Sequence, residues 1–232
     1  MTRVQKVVLK LHSELASKNI LEVACGCGEF SIAASAFAET VHAVDLDAVR
    51  LLPEAKNIHN LQFQRMDASH MTYGCRSFDS VVMYNAIGHL ADIAEDVLAE
   101  CLRVLKNDGS LFIVSSFSMD KRFMNTVLIP YLKETSLEFE ASEDAPFMYV
   151  KVKHKKSPLD KKQQLQSFLK SGSSKSFHGI SLLYNFGNQF LFSHLFSHIR
   201  SKNVKKALTR SFFHVIINSD INCISNQEER GV

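Results

Sequence analysis

Residues 20–28 constrain the fold of this chain more than any other stretch. They read Ile-Leu-Glu-Val-Ala-Cys-Gly-Cys-Gly, a short apolar run that contains one acid and ends in alternating small residues. An apolar run too short for a helix, followed directly by glycines, is typical of a buried parallel strand that ends in a tight loop. We therefore predict a strand that leads into a ligand-binding loop.

The two glycines make the loop suitable for close contact with a ligand. Gly26 and Gly28 lack a Cβ atom, so they adopt positive φ angles easily and let a ligand lie against bare backbone. A helix is expected over about residues 29–38, and its free N–H groups and positive dipole end would point back at the loop. A nucleotide pyrophosphate and the carboxylate of an amino acid would both suit such a place.

Two residues near the loop argue against a dinucleotide. The dinucleotide fingerprint has a third glycine three residues after the second, and this chain has Ser31 there. Glu22 lies just before the loop, where it would repel a pyrophosphate but attract the ammonium group of a methionine-like cofactor. The pattern therefore favours an amino-acid-bearing ligand over NAD or FAD.

Residues 21–28 resemble the first motif of class I S-adenosylmethionine-dependent methyltransferases, in which an acid and one further residue precede Gly-x-Gly-x-Gly. Ala24 stands where the family usually has its first glycine, and this smallest possible replacement predicts a slightly tighter site. The resemblance implies S-adenosylmethionine as the cofactor. It also implies cofactor contacts for Glu22, Ala24, Gly26 and Gly28.

A second strand is predicted over residues 41–45, where apolar residues alternate and an acid follows. An acid at this strand end can accept hydrogen bonds from both ribose hydroxyls of a nucleoside, so Asp45 is a predicted cofactor-binding residue. Leu46 would lie against the adenine face. Asp47 is interpreted as the N-cap of a helix over residues 48–56.

A third strand over residues 61–65 leads into a further acid. In the family, an Asp at this strand end accepts from the adenine N6 amine, and the next small residue donates its backbone N–H to the ring. Asp67 and Ala68 occupy those places. The alternative for Asp67 is an ordinary turn carboxylate without a ligand.

The fourth strand is predicted over residues 78–84, and the loop after it should face the transferred methyl group. Asn85, His89 and Asp92 resemble the Asn-x-x-x-His-x-x-Asp stretch of ubiquinone/menaquinone-biosynthesis-like methyltransferases. Asn85 is a predicted cofactor-binding residue. His89 is the predicted catalytic base for an oxygen or carbon acceptor, with a helix-start or lining role as the alternative. Asp92 belongs to the same family stretch, and the alternative interpretation is that it only caps the helix that follows.

The chain contains no Pro-Pro pair. The Asn/Asp-Pro-Pro-Tyr/Phe tetrapeptide of enzymes that methylate nucleobase or glutamine amines is therefore missing. This lowers the expectation of a nucleic-acid or release-factor substrate.

The remaining pattern completes an α/β fold. We predict a helix over residues 93–105, a turn at 106–109, a strand over 110–114, a helix over 120–135 interrupted by Pro130, and a hairpin of residues 137–143 and 146–154. The expected architecture is a Rossmann-like, doubly wound, seven-stranded and mostly parallel sheet with one reversed strand. This domain is expected to cover residues 1–156.

Residues 157–232 are predicted to form a separate, basic and Phe-rich C-terminal extension. Residues 1–150 hold 13 Lys and Arg against 20 Asp and Glu, whereas residues 151–232 hold 14 against 4. Three interpretations remain open: a helical cap on the first domain, an interfacial contact with an anionic membrane, or a nucleic-acid contact.

The cysteine pattern predicts a reducing, cytoplasmic environment. Five cysteines are an odd number without disulfide-framework spacing, and Cys25 and Cys27 lack a second ligand pair at zinc spacing, so no metal is expected. We expect a methyltransferase that acts on a small-molecule acceptor. RNA or protein methylation, and a cofactor-binding protein without catalysis, are the alternatives.

Overall fold

The computed structural model describes residues 1–155, which form one compact unit. The predicted extension over residues 157–232, with its three interpretations, lies outside the described residues. No helix within residues 1–155 has the length and apolar character needed to cross a membrane.

A single seven-stranded sheet runs through this unit in the order β3-β2-β1-β4-β5-β7-β6. β1 to β5 are mutually parallel, and β7 runs antiparallel to both of its neighbours. The predicted α/β fold with one reversed strand is therefore confirmed. The strands are β1 (Asn19–Val23), β2 (Thr40–Asp45), β3 (Leu61–Arg65), β4 (Phe78–Tyr84), β5 (Leu105–Ser115), β6 (Glu138–Asp144) and β7 (Phe147–Lys153).

Helical segments lie between consecutive parallel strands, except between β3 and β4, which a loop without a helix joins. The α-helices are α1 (Arg3–Lys10), α2 (His12–Leu15), α3 (Glu29–Ser35), α4 (Ala94–Val104), α5 (Ser118–Phe123) and α6 (Ile129–Glu134). Two 3₁₀ segments (Pro53–Asn57 and Ile87–Ile93) and one π segment (Met124–Leu128) complete the set.

Both faces of the sheet are covered, because successive residues of each central strand point to opposite faces. On β1, Leu21 packs in the cluster that α4 and α6 complete, whereas Ile20 packs in the cluster with α1 and α3. Phe30 of α3 and Cys101 of α4 are fully buried in these two layers. Burial of β1 from both sides explains why the apolar residues Ile20 and Leu21 are adjacent instead of alternating with polar residues.

Three predicted segments differ from the structure. The helix over residues 48–56 is absent, because Pro53 holds Leu52 in an extended conformation (ψ 136°) and only a 3₁₀ turn follows. β5 begins at Leu105, since residues 106–109 extend the strand across a register irregularity instead of forming a turn. Pro130 does not interrupt the last helix; a π segment precedes it and accommodates its missing N–H group.

The edge strand β6 is exposed along almost its whole length. It carries four exposed carboxylates, and Asp144 Oδ2 accepts a hydrogen bond from Lys10 Nζ at 2.8 Å. Phe139 is the side chain of β6 that packs against the core. The carboxylates are those of Glu138, Glu140, Glu143 and Asp144.

Candidate functional site

The order of strands reverses between β1 and β4, which are parallel neighbours at the centre of the sheet. Loops that leave the carboxyl ends of such strands diverge and open a crevice. Because β1, β2, β3 and β4 are parallel, the residues predicted from their ends lie along one edge of the sheet. Glu22, Asp45, Asp67 and Asn85 follow or end those four strands.

The loop after β1 has the left-handed backbone that its sequence predicts. Gly26 and Gly28 have φ angles of 53° and 75°, and Ala24 has a φ of 55° although it carries a Cβ. Cys25 N donates to Val44 O at 3.0 Å, and Gly28 N donates to Cys25 O at 2.8 Å. The loop is thus held to β2 and closes on itself directly before α3.

Glu22 is buried at the end of β1 and contacts the helix that follows the loop. One of its carboxylate oxygens, Oε2, accepts hydrogen bonds from Ser31 N at 2.9 Å and from the Ser31 hydroxyl. Burial raises the pKa of Glu22 to about 8, and the Ser31 hydrogen bonds oppose that rise. The side chain therefore fixes the first turn of α3 against the strand, a contact that its sequence did not reveal.

Asp45 joins the end of β2 to the glycine loop. Its Oδ2 accepts a hydrogen bond from Gly26 N at 2.7 Å, so the carboxylate is oriented by the loop itself. Leu46 follows directly and is 63% exposed. A carboxylate can accept hydrogen bonds from ribose hydroxyls, and an exposed apolar side chain next to it can pack against an adenine ring.

The segment after Leu46 lies against the glycine loop, which the predicted helix did not anticipate. Leu52 N donates to Cys27 O at 3.0 Å. A Cβ atom on Gly26 would lie 3.3 Å from Arg50 Nη2, and one on Gly28 would lie 2.9 Å from Leu51 Cδ1. Arg50 and Leu51 therefore border the loop, and the only sequence signal for this arrangement is the proline that ends the apparent helix.

The acid after β3 forms a turn with its own neighbour. Asp67 Oδ1 accepts from Ser69 N at 2.8 Å and from Ser69 Oγ at 2.7 Å. The backbone N–H of Ser69, followed by its hydroxyl, lowers the pKa of Asp67. Ala68 is buried in the core. Both hydrogen bonds from Ser69 are therefore made to the same carboxylate oxygen of Asp67, Oδ1.

Asn85 connects the ends of β4 and β5. It has a left-handed φ of 53°, and its Oδ1 accepts from Ser116 N at 2.8 Å and lies 2.9 Å from Ser115 Oγ. Its backbone N–H donates to Val114 O at 2.8 Å. The side-chain oxygen of Asn85 is therefore directed at β5.

His89 is exposed in the 3₁₀ segment that follows Asn85. Its backbone N–H donates to Ala86 O at 3.0 Å, at the beginning of this seven-residue segment. Asp92 was expected to cap α4 as one alternative, but Ile93 is the N-cap residue and no side chain caps that helix. The helix-cap interpretation of Asp92 is wrong.

Asp120 is a buried acid at this end of the sheet that sequence analysis missed. It lies in the first turn of α5, is 0% exposed, and its Oδ2 accepts from Ser115 Oγ at 2.7 Å. Within residues 1–155 its Oδ1 has no hydrogen-bond partner. The sequence held no signal for it, because one acid near a helix start is ordinary and only its burial is unusual.

Residues 21–113 match the family model described as a methyltransferase domain. The matched stretch, about 40% of the chain, is similar to methyltransferase domains. It runs from β1 to β5 of the seven-stranded sheet.

A curated relative and two solved structures are similar to the methyltransferase domain. The phthiotriol/phenolphthiotriol dimycocerosates methyltransferase 1 of Mycobacterium ulcerans is 35% identical over 107 residues, which are 43% of this chain and 38% of that protein. The chain thus spans well under half the length of this relative. A SAM-dependent methyltransferase from Aquifex aeolicus superposes with a TM-score of 0.55 at 14% identity, covering 64% of this chain and 87% of that one.

The structure of DhpI in complex with SAH superposes with a TM-score of 0.53 at 18% identity, covering 65% of this chain and 83% of that one. At these identities both structural similarities concern the fold.

The residues present in the crevice fit the cofactor of the methyltransferase domain. The loop has no side chain of its own at Gly26 or Gly28, but the ends of the Arg50 and Leu51 side chains border these positions, so both must move before a ligand lies against the backbone there. Glu22 is a buried carboxyl whose charged form a nearby ammonium group would stabilise. Asp45 and the exposed Leu46 supply a hydrogen-bond acceptor and an apolar surface for a nucleoside.

Proposed function

We propose that this chain transfers a methyl group from S-adenosylmethionine to a small-molecule acceptor. The observation that carries the proposal is the common position of four acidic or amide side chains at the carboxyl ends of β1 to β4, around a left-handed glycine loop. The name of the mycobacterial relative, which refers to phthiotriol dimycocerosates, supports a small-molecule acceptor. A cytoplasmic location stays a prediction from the cysteine spacing, and the disulfide bond of Cys75 argues against it.

Each predicted residue has a separate role in holding the cofactor. Glu22 would attract its ammonium group, directly or through water, and the loop of Ala24, Gly26 and Gly28 would receive the methionine part. Asp45 would accept from the ribose hydroxyls.

Leu46 would pack on one face of the adenine. Asp67 would accept from its amine, and Ala68 would donate a backbone N–H to the ring. Asn85 would close the cofactor site on the side of β4.

The protein must mainly position the acceptor. When bound, S-adenosylmethionine supplies a methyl group that is already electrophilic because it is attached to a sulfonium. The residues of the crevice need only hold the acceptor atom in line with it, which can contribute roughly 7–11 kcal/mol to lowering a barrier. For an oxygen or carbon acceptor, the exposed imidazole of His89, in the 3₁₀ segment that follows β4, would remove the proton.

Calorimetric titration with S-adenosylhomocysteine tests the cofactor assignment. We expect micromolar binding to the full chain, and at least a tenfold loss on Asp45→Ala, since a hydrogen bond to a charged group contributes about 1.5–3 kcal/mol. Asp47→Ala is the matched control, because its exposed carboxylate accepts from Val49 N in a local turn. Binding of NADH without any binding of S-adenosylhomocysteine would refute the proposal.

Mass spectrometry of cell extracts incubated with methyl-deuterated cofactor identifies the class of acceptor. We expect the label in the metabolite or lipid fraction. Label in RNA or protein would support the alternative in which the basic residues 157–232 dock a macromolecule. Binding of S-adenosylhomocysteine without label in any fraction would support a cofactor-binding protein without catalysis.

A further inference from the structure

Arg50 lies against the backbone of the glycine loop. A Cβ atom on Gly26 would lie 3.3 Å from Arg50 Nη2 and 3.7 Å from Arg50 Cζ, so the guanidinium borders the bare backbone at this position. The segment that carries Arg50 is attached to the same loop, because Leu52 N donates to Cys27 O at 3.0 Å. The fold therefore brings a positive charge to the predicted place of the ligand.

The charge of Arg50 is not paired with an acid of the described chain. None of the ion pairs within residues 1–155 involves Arg50. Asp45 also borders Gly26, but its Oδ2 accepts a hydrogen bond from Gly26 N at 2.7 Å. Because Arg50 is exposed, its side chain can turn toward a ligand without first giving up an ion pair in this part of the chain.

The acids near the start of α3 give this end of the sheet a negative charge. Burial raises the pKa of Glu22 most, and the negative charges of Asp45 and Glu29 raise it further, so the three carboxyl groups lie close to one another. Such a group attracts an ammonium group and repels a carboxylate. An amino acid carries both groups on one carbon, so its carboxylate needs a cation at the same place.

The first turn of α3 is a poor substitute for that cation. Ser31 N already donates to Glu22 Oε2 at 2.9 Å, and Glu29 adds a second negative side chain to the same turn. Two acids thus already use the positive end of this helix, and a third carboxylate gains little from it. The guanidinium of Arg50 is better suited, because its planar fork of N–H groups matches the geometry of a carboxylate.

We propose that Arg50 binds the carboxylate of the cofactor's methionine part and so selects a ligand that carries an amino acid. This inference rests on the proposed function and adds a specificity-determining residue to the same site. The Arg50 side chain swings away from Gly26 as the ligand enters, and its fork then pairs with the carboxylate. Glu22 attracts the ammonium group, so the acid and the arginine each recognise one charged group of the amino acid.

Two ligands that differ only in the carboxylate test this contact. The full chain is titrated calorimetrically with S-adenosylhomocysteine and with decarboxylated S-adenosylhomocysteine, which keeps the adenosine, the sulfur and the amine. We expect the wild type to bind the first ligand about tenfold more tightly, as hydrogen bonds between charged groups imply. Arg50→Gln should weaken S-adenosylhomocysteine to the level of the decarboxylated ligand. Equal affinities in the wild type, or a preference that persists in Arg50→Gln, would overturn the proposal.

The direction of the change separates recognition of the carboxylate from two simpler roles. If Arg50 only covered the loop, Arg50→Gln would strengthen the binding of both ligands. If Arg50 only supported the fold, both ligands would bind more weakly by the same factor. Either result would contradict the proposal, which requires that the decarboxylated ligand does not bind more weakly to the variant.

Two further variants assign the effect to the guanidinium. Arg50→Lys keeps the charge but loses the fork, so it should retain part of the preference for S-adenosylhomocysteine. Lys56→Gln is the matched control, because it removes one positive charge from an exposed position of the 3₁₀ segment that follows. Both affinities should stay unchanged in this control. An equal loss of preference in Lys56→Gln and Arg50→Gln would show that overall charge, not a contact of Arg50, is responsible.

The wild-type titrations also distinguish this inference from the proposed function on which it rests. Normal binding of S-adenosylhomocysteine without a preference for its carboxylate would reject the role of Arg50 alone. Failure of the wild-type chain to bind either ligand would reject the proposed function itself.

Discussion

Ala24 has a left-handed backbone (φ 55°) at the position where related domains have a glycine. A Cβ atom in this region costs roughly 1–2 kcal/mol, because it approaches the following carbonyl oxygen. The loop keeps its shape despite the alanine, since Cys25 N donates to Val44 O and Gly28 N to Cys25 O. The departure from the motif is therefore a local strain and leaves the loop geometry in place.

Ala24→Gly should stabilise the protein. Relief of strain exceeds the added entropy of the unfolded chain, so we expect a gain of about 0.5–1 kcal/mol, which is roughly 1–4 °C in the thermal midpoint. Differential scanning calorimetry measures this. Ala33→Gly, inside α3, is the control and should lower the midpoint, because glycine is unfavourable in a helix. A lower midpoint for Ala24→Gly would contradict the strain argument.

Glu22 should make stability depend on pH. Its pKa is raised by burial to about 8 in the folded protein, so the folded state holds a proton that the unfolded state releases at lower pH. This contribution is complete below about pH 4.5 and is lost as pH rises through about 8, at up to about 1.4 kcal/mol per pH unit.

Denaturant titrations between pH 5 and 9 measure that loss. Glu22→Gln cannot ionise and retains an oxygen that accepts from Ser31 N, so its unfolding free energy should fall less steeply over the same range. Glu39→Gln, an exposed carboxylate, should behave like the wild type. Parallel pH profiles for wild type and Glu22→Gln would show that Glu22 is not the titrating group.

At the scale of elements, a partly buried ion pair holds the loop after β3 against α4. Glu100 Oε1 and Oε2 accept from Arg103 Nε at 2.7 Å and Nη2 at 2.8 Å. Arg103 also donates to Met71 O and Tyr73 O, both at 2.8 Å, and Met71 N donates to Glu100 Oε2. The loop that begins with Asp67 is thereby fixed to a helix of the core.

Arg103→Lys should loosen this attachment. A lysine cannot form the forked contact with Glu100 and reach two carbonyls, so we expect a loss of about 2 kcal/mol, or roughly 4–8 °C in the thermal midpoint. Arg122→Lys, at an exposed position of α5, is the matched control and should leave the midpoint unchanged. Indistinguishable midpoints for the two variants would mean that the fork contributes little.

Sequence patterns predicted the strands that carry their own apolar residues, such as β1 and β4. They failed where a partner strand decides the outcome. Lys106 and its polar neighbours indicated a turn, yet Lys106 Nζ pairs with Asp79 Oδ1 at 2.8 Å and the residues continue β5. Gly109 lies there because a Cβ would come within 2.8 Å of Asp79 O.

The site shows the same division. Residue types and spacing were enough to predict Glu22 and Asn85 as candidate site residues, because the motif is local in sequence. Their hydrogen bonds to Ser31 and Ser116 depend on how separate elements meet, which no pattern in one stretch records. Sequence analysis missed Asp120 for the same reason.

For the molecule as a whole, the strand order determines which residues meet. The chain crosses over β1 after β3 and adds β4 and β5 on the other side, so residues more than sixty positions apart, such as Glu22 and Asn85, come to one edge. Both sheet faces are covered by helices, which leaves the strand ends as the place for a ligand.

The acidic strand β6 also affects how copies of the protein meet. An outermost strand offers unpaired N–H and C=O groups to any extended backbone, and self-association through such an edge begins many fibrils. Two copies that approached through β6 would bring four negative side chains from each against the other. The repulsion between these carboxylates therefore disfavours backbone pairing between the β6 strands of two copies.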